Sequence, residues 1–423
     1  MLISFEVANY RSIRARQTLS LVKSKGGELA DTNTFTAQAG GGLDLLRSAA
    51  IYGPNASGKT NLLRAVRAMK TIVLESATGW KRGDKLPVIP FRLDPESRAA
   101  PSEFEVNFIV DQVRYQYGFA ATEQRVHEEW LFAFPKGRPQ RWFERTWRDA
   151  TQTYDWELGS NLAGEKLLWQ KSTRDNALFL STAVQLNSTQ LQPLYDWFRA
   201  KLRLAGISSW GPGFSARMCE KNGSKRLLDY LHAADLGIDD IRIERKPFDI
   251  SRLPDDMPND AKESILERLA SESVLEISTT HIAPNGESVT FELRDESDGT
   301  LKMFAFAGPW LDVLENGYIL FIDELHDNLH PKLVQFLVGL FHDKETNPKN
   351  AQLVFTTHET SILNQQVFRR DQIWFCEKDA AQSTRLFPLT DFSPRKGREN
   401  LELAYLSGRY GALPFVQMLT KAP

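Results

Sequence analysis

Gly53-Pro54-Asn55-Ala56-Ser57-Gly58-Lys59-Thr60 is the stretch whose reading decides the fold. It matches the pattern G-x-x-x-x-G-K-[ST] at every fixed position. The apolar run Leu45–Tyr52 stops at Gly53 and fits a buried parallel strand. Asn61–Ser76 follows with Leu62, Leu63, Val66, Met69 and Val73 at a helical period. Strand, glycine-rich turn and helix together make a P-loop. Its glycines let backbone N–H groups turn inward on phosphate oxygens, and the helix N-terminus adds its dipole. Gly53 to Gly58 form the cradle in this reading. Lys59 reaches the outer phosphates and the Thr60 hydroxyl holds Mg²⁺, so ATP and Mg²⁺ are the expected ligands.

A second stretch, Tyr318-Ile319-Leu320-Phe321-Ile322-Asp323-Glu324, is an apolar strand delivering two acids at its C-terminal end. Open α/β sheets bind ligands along that edge. Asp323 is suited to the Mg²⁺ shell and Glu324 to taking a proton from an attacking water. Around these anchors, Leu2–Ala8 and Gln17–Val22 are strand candidates, and Gly26–Gly42 reads as a flexible loop. Alternation in Phe104–Val110 and Tyr115–Phe119 predicts an antiparallel sheet over about Glu103–Trp156. Helical spacing returns in Leu191–Leu204 and Lys225–Leu236, broken at Gly211-Pro212-Gly213 and Leu253–Pro258. Strands resume after Val274, followed by helices at Thr300–Asn316 and Pro331–Phe341 and a strand at Gln352–Thr356. No heptad persists, and no internal repeat is visible.

Composition bounds the class. Hydrophobic residues are 42 % and charged residues 25 %, and 52 Lys and Arg against 54 Asp and Glu leave a net charge of −2. No global basic excess points to nucleic acid. The two cysteines, Cys219 and Cys376, have no metal-ligand spacing, which excludes a disulfide scaffold and a zinc module. The start Met1–Tyr10 alternates and carries Glu6, unlike a signal peptide, and the longest apolar runs are of strand length, so the expected location is cytoplasmic, with no membrane contact. Two basic stretches, Lys136–Trp142 and Arg145–Arg148, interleave arginines with Trp142, Phe143 and Trp147. They are either a stacking-plus-phosphate surface or strand ends with solvated charges. His326 and His330 are spaced as a helical metal pair, or lie in a loop that Pro331 closes.

Asp323-Glu324 ending one strand and Leu353-Val354-Phe355-Thr356-Thr357-His358 ending the next resemble the ABC-type ATPases of the RecF/SMC/OLD kind. That resemblance implies that His358 contacts the γ-phosphate. Asn9-Tyr10-Arg11-Ser12-Ile13 is similar to the family's N-F-R-S-F opening, which places Arg11 among the nucleotide contacts, and Asn328-Leu329-His330-Pro331 looks like its S-L-H-P element. Ser297-Asp298-Gly299-Thr300 resembles the signature loop of OLD-like members. There Ser297 and Gly299 would meet the γ-phosphate on the P-loop of a second subunit; the alternative is an exposed turn. Val88–Leu93 fills the expected Q-loop region without a glutamine.

The fold so implied is α/β: an ABC-type P-loop ATPase head assembled from both chain ends, with an antiparallel β lobe and a helical insertion. Its divisions are 1–175, 176–273 and 274–423. The chain looks like stand-alone OLD-like AAA ATPases of bacterial anti-phage and abortive-infection systems. The tail Leu403–Phe415 resembles members paired with an RloB- or AriB-like TOPRIM protein. The expected function is an ATPase that dimerises around ATP and regulates a separate toxic effector. The alternative is a RecF/SMC-like ATPase acting on DNA in recombination or repair. A nuclease within the chain is disfavoured, because the acids after His358 form no D-x-D.

Overall fold

The apolar run ahead of the P-loop folds as two strands, not one. In the computed structural model, which describes residues 1–39, 41–205, 210–247 and 273–414, Leu43–Leu46 and Ser48–Tyr52 belong to different sheets. Arg47 separates them. Its side chain is buried and donates to the carbonyls of Thr34 and Asn347, so the chain turns where that charge finds its acceptors. Leu253–Pro258 and Phe415 lie outside the described residues.

Numbered along the chain, β1 is Leu2–Ala8, β2 Gln17–Ser20, β3 Thr34–Ala37, β4 Leu43–Leu46 and β5 Ser48–Tyr52. The lobe strands are β6 Ser102–Val110, β7 Val113–Ala121, β8 Val126–Phe134, β9 Gln140–Arg148 and β10 Thr153–Leu158. Then come β11 Leu202–Ala205, β12 Asp240–Pro247, β13 Ser273–Ile282 and β14 Ser288–Glu292. The last are β15 Ile319–Ile322, β16 Gln352–Thr356, β17 Ile373–Lys378 and β18 Thr384–Pro388. Gly26–Gly42 is not an open loop: it holds a helical turn, Ala30–Asn33, and then β3. The β3–β4 hairpin buries Phe35 and Ala37 beside Leu45 and Ile3.

The chain divides into two compact units. The first comprises Met1–Ile207, Val313–Asp327 and Val334–Pro423. Its antiparallel sheet runs β10-β9-β8-β7-β6-β1-β2, so the lobe foreseen over Glu103–Trp156 is joined by the chain's first two strands. The other sheet runs β11-β15-β16-β5-β17-β18, with every pair parallel except β17–β18. An N-terminal strand thus lies between two C-terminal ones. Gln352 reinforces this closure, accepting from the Leu2 N–H and donating to the carbonyls of Leu2 and Leu46. The helical spacing of Leu191–Leu204 misleads at its end. Gln192–Asp196 is helical, Trp197–Lys201 widens into a π turn, and β11 then pairs with β15. So short a strand draws its hydrogen bonds from a remote neighbour, which local periodicity does not encode.

The second unit comprises Ser208–Asp312 and Asn328–Leu333. It contains the helices Gly213–Asn222 and Lys225–Ala233, the antiparallel sheet β12-β13-β14 and most of the helix Asp298–Asn316. Pro309 lies inside that last helix. Gly308 beside it leaves room for Ser215, whose hydroxyl donates to the Phe304 carbonyl and accepts from the Gly308 N–H.

Most of the basic residues of the β lobe are spent inside the lobe. Arg145 is fully buried, 3.0 Å from a Glu129 carboxylate that is equally buried. Glu129 also accepts from the Tyr117 hydroxyl and from the N–H groups of Phe179 and Leu180, at the start of the helix Phe179–Gln185. Trp142 and Phe143 are core residues, Arg141 pairs with Glu144 and Glu157, and Arg148 pairs with Asp155. Arg141, Arg145 and Arg148 thus have matched charges, while Lys136 and Arg138 lie exposed in the turn between β8 and β9.

Replacing Arg145 with Met should therefore destabilise the protein by about 3–5 kcal/mol, the cost of leaving a buried carboxylate without its cation. Arg148→Met, which breaks an exposed pair, should cost under about 1 kcal/mol. Urea denaturation at neutral pH compares the two, and equal midpoints would contradict the buried-pair assignment.

Candidate functional site

Parallel register delivers the site. Ile322 stands opposite Phe355, and Phe355 opposite Ala50, so the C-terminal ends of β15, β16 and β5 lie side by side. The chain leaves those ends at Asp323, at Thr357 and at Gly53. Three motifs far apart in sequence therefore meet on one edge of one sheet.

The P-loop bends through positive φ at Gly53 (151°), Ala56 (63°) and Gly58 (111°). Gly53 and Gly58 have no room for a side chain. A Cβ on Gly53 would lie 2.1 Å from the Cys376 carbonyl oxygen, and one on Gly58 would lie 2.0 Å from Thr384 Oγ1. The helix Lys59–Glu75 follows at once and buries Leu62, Leu63, Val66, Met69, Ile72 and Val73. Among the described residues, the N–H groups of Asn55, Ala56, Gly58, Lys59 and Thr60 find no carbonyl acceptor, and the buried Ser57 hydroxyl has no partner. This donor set is one that an oxyanion satisfies.

Lys59 is 5 % exposed and folds back, donating to the carbonyls of Gly53 (2.7 Å) and Pro54 (3.0 Å) and facing His358 Nε2 at 3.2 Å. Burial lowers its pKa, opposed by Cys376, Asp323 and Glu324. In this arrangement His358 Nε2 accepts and the ring proton lies on Nδ1. Burial first, then the Lys59 ammonium and His326, hold His358 down at about 4. The imidazole is therefore neutral at physiological pH. His326 packs against it edge-on, 5.5 Å between centroids, and its Nδ1 faces the His358 N–H.

The acidic pair is organised by a residue to which sequence reasoning gave no role. The buried Thr356 hydroxyl donates to Asp323 Oδ1 (2.6 Å) and accepts from the Glu324 N–H (2.7 Å). Glu324 adopts φ 52°, a left-handed conformation that a non-glycine residue rarely takes without support. The bond to Thr356 supplies part of that support. A threonine closing the strand beside the acidic one was the available signal.

Arg11 also has positive φ (51°), and its N–H donates to the Ile89 carbonyl. Arg11, Ser12, Asn61, Lys378 and the segment Ile89–Leu93 border a cavity of about 350 Å³. On the other flank a cavity of about 600 Å³ is bordered by Gly53, Asn55, His358, Tyr405, Leu406 and Leu413, so the chain's tail reaches the P-loop. Ser297 and Gly299 belong to the second unit. The Ser297 hydroxyl accepts from the Thr300 N–H at 3.1 Å, capping the helix Asp298–Asn316, while a Cβ on Gly299 would meet only Ser297 Oγ, at 3.8 Å. His330, in the second unit, accepts from the Lys332 N–H, and His326 lies in the first. Among the described residues no group of three or more His, Cys, Asp or Glu is placed to hold a metal ion. No helix among them is long and apolar enough to cross a membrane.

The family model described as "AAA domain, putative AbiEii toxin, Type IV TA system" matches residues 48–364. No curated protein matches the chain. Among solved structures, the chain is similar to the SMC head domain from Thermotoga maritima, at 12 % identity over 92 % of this chain and 98 % of that one, with a TM-score of 0.40. It is also similar to an Smc head bound to the C-winged helix domain of ScpA (12 % identity, 92 % and 97 % covered, TM-score 0.39). A third likeness is to an Smc head domain with a coiled coil and joint derived from Pyrococcus yayanosii (12 % identity, 96 % and 99 % covered, TM-score 0.38). The matched span of the family model begins at the first residue of β5 and ends beyond His358, taking in the P-loop, the β lobe and the acidic pair. The chain belongs to this AAA-domain family.

Proposed function

We propose that this protein binds and hydrolyses ATP, dimerises around it, and thereby regulates a separate toxic effector in defence against phage. The observation that carries the catalytic part is the convergence of Lys59, Asp323, Glu324 and His358 beside P-loop N–H groups that find no acceptor among the described residues. In this reading the loop Gly53–Thr60 takes the phosphates. Lys59 exchanges the carbonyls of Gly53 and Pro54 for phosphate oxygens, which an ammonium prefers because the bond is charge-assisted. Thr60 and Asp323 would hold Mg²⁺, which supplies charge neutralisation when bound. Glu324 accepts a proton from the attacking water. His358, freed of Lys59 as donor, turns to the terminal phosphate.

Ser297 and Gly299 take their part from a second copy of the chain, as the signature loop of such dimers does. Two facts support the regulatory half of the proposal. The matching family is described by a toxin of a type IV toxin–antitoxin system. Arg145 is buried in an ion pair and Arg141 and Arg148 are paired with neighbouring carboxylates, which leaves fewer unpaired cations on the β lobe for the DNA-acting alternative. The effector we propose is a TOPRIM-type nuclease.

Lys59→Ala should abolish binding of a fluorescent ATP analogue, and wild-type affinity in that variant would rule out the phosphate cradle. Glu324→Gln should keep ATP bound while slowing turnover by about 10²–10⁴. Unchanged turnover would move the base to another group. Ser297→Arg should leave nucleotide binding intact yet block hydrolysis and ATP-dependent dimerisation, followed by light scattering with and without ATP. Normal hydrolysis by that variant as a monomer would exclude a composite site.

A further inference from the structure

Thr384 opens β18 and is 2 % exposed. Its hydroxyl donates to the Ser57 carbonyl at 2.8 Å and lies 2.8 Å from Ser12 Oγ. Asn61, one position past Thr60, donates through Nδ2 to the same Ser12 oxygen at 2.8 Å, while its Oδ1 accepts from Arg64. The donors fix the polarity of this chain. An amide NH₂ only donates and a carbonyl only accepts, so each hydroxyl between them passes its single proton onward. The order is Asn61 to Ser12, Ser12 to Thr384, Thr384 to Ser57. The Thr384 N–H also donates to the Ser12 carbonyl at 2.7 Å, which locks the two segments together.

We propose that Thr384 is a positioning residue of the nucleotide site, holding the Ser57–Gly58 peptide so that its N–H faces the phosphates. The inference rests on the proposed reading of that site as an ATP site. In a trans peptide the carbonyl and the following N–H point in opposite directions. Drawing the Ser57 carbonyl toward Thr384 therefore turns the Gly58 N–H the other way, and that N–H has no acceptor among the described residues. The Gly58 carbonyl is held on the helix side by the N–H groups of Asn61 and Leu62, and the Ser57 N–H bonds Pro54 at 3.3 Å. The Ser57 carbonyl accepts from the Thr384 hydroxyl at 2.8 Å and more weakly from the Cys376 thiol at 3.5 Å. Gly58 is pressed directly against the Thr384 and Ser12 hydroxyls. Ser12, in the N-terminal Asn9–Ile13 element, thereby acquires a physical role, relaying support from the P-loop helix to β18.

Steady-state ATP hydrolysis by the full chain tests this. Thr384→Val keeps the shape and removes the hydroxyl, and it should raise KM for ATP about tenfold with kcat within about twofold of wild type. Thr384→Ser should restore KM to within about twofold. Ser12→Ala, which leaves the Thr384–Ser57 bond in place, should raise KM about threefold and add little to Thr384→Val, since both lie on one chain. If Thr384→Val fails to fold, the KM shift in Ser12→Ala and the absence of one in Thr384→Ser carry the decision. Unchanged KM in folded Thr384→Val, beside a wild type that hydrolyses ATP, overturns this inference and leaves the ATP site standing. A wild type that binds no ATP overturns both.

Discussion

Everything at the site depends on one strand in register. β5 comes from the N-terminal part of the chain, yet it pairs in parallel with β16 on one side and β17 on the other. Its position fixes where the P-loop leaves the sheet. The β16 pairing with β15 then fixes where the acids leave it. A slip of one residue between β15 and β16 would turn Thr356 away from Asp323, and one between β16 and β5 would shift the P-loop along the edge; either sends alternate side chains to the opposite face. Packing specifies that register: β5, β15 and β16 are buried at every position, so the side chains on both faces must fit close-packed neighbours. The hydrophobic effect holds the sheet together, and the pleat converts that burial into a geometry for polar groups.

The polar groups are then held by short hydroxyl relays rather than by many charges. Thr356 serves the acidic pair, and Thr384 serves the loop. Both are buried threonines at strand ends, where a β-branched residue suits the strand and its hydroxyl reaches the adjoining turn. Lys59 is a buried cation whose oxygen contacts are carbonyls, and its closest charged neighbours in the sheet edge raise its pKa only against a larger effect of burial. Such an ammonium is poised to move to a stronger acceptor, which gives the loop a reason to change when phosphate arrives.

Much of this was legible in the sequence. The P-loop, the acidic pair and His358 are marked by local patterns in which the chemistry dictates both residue type and spacing, and all lie on one sheet edge. Leu2–Ala8 and Gln352–Thr356 are strands over the residues foreseen, because their patterning and their burial agree. The failures have physical causes. Leu45–Tyr52 reads as one strand because a single arginine looks like an interruption, whereas Arg47 is the point at which the chain changes sheets. Gly26–Gly42 reads as a loop because its composition is small and polar, yet β3 is stabilised by a partner across the hairpin. β11 carries helical spacing and is rescued as a strand by β15. Thr356 lies within the Leu353–His358 motif but has no role marked by it, and Thr384 lies in no motif; the roles of both come from neighbours remote in sequence.

Lys59, Asp323, Glu324 and His358 are proposed to make one phosphate site, and a crystal structure of the full chain with Mg²⁺ and a non-hydrolysable ATP analogue measures that directly. The expected result is a terminal phosphate within hydrogen-bonding distance of Lys59 Nζ and His358, with the Gly58, Lys59 and Thr60 N–H groups directed at phosphate oxygens. A nucleotide bound away from Gly53–Thr60, or a Lys59 that keeps its bonds to the carbonyls of Gly53 and Pro54 with the analogue in place, would contradict it.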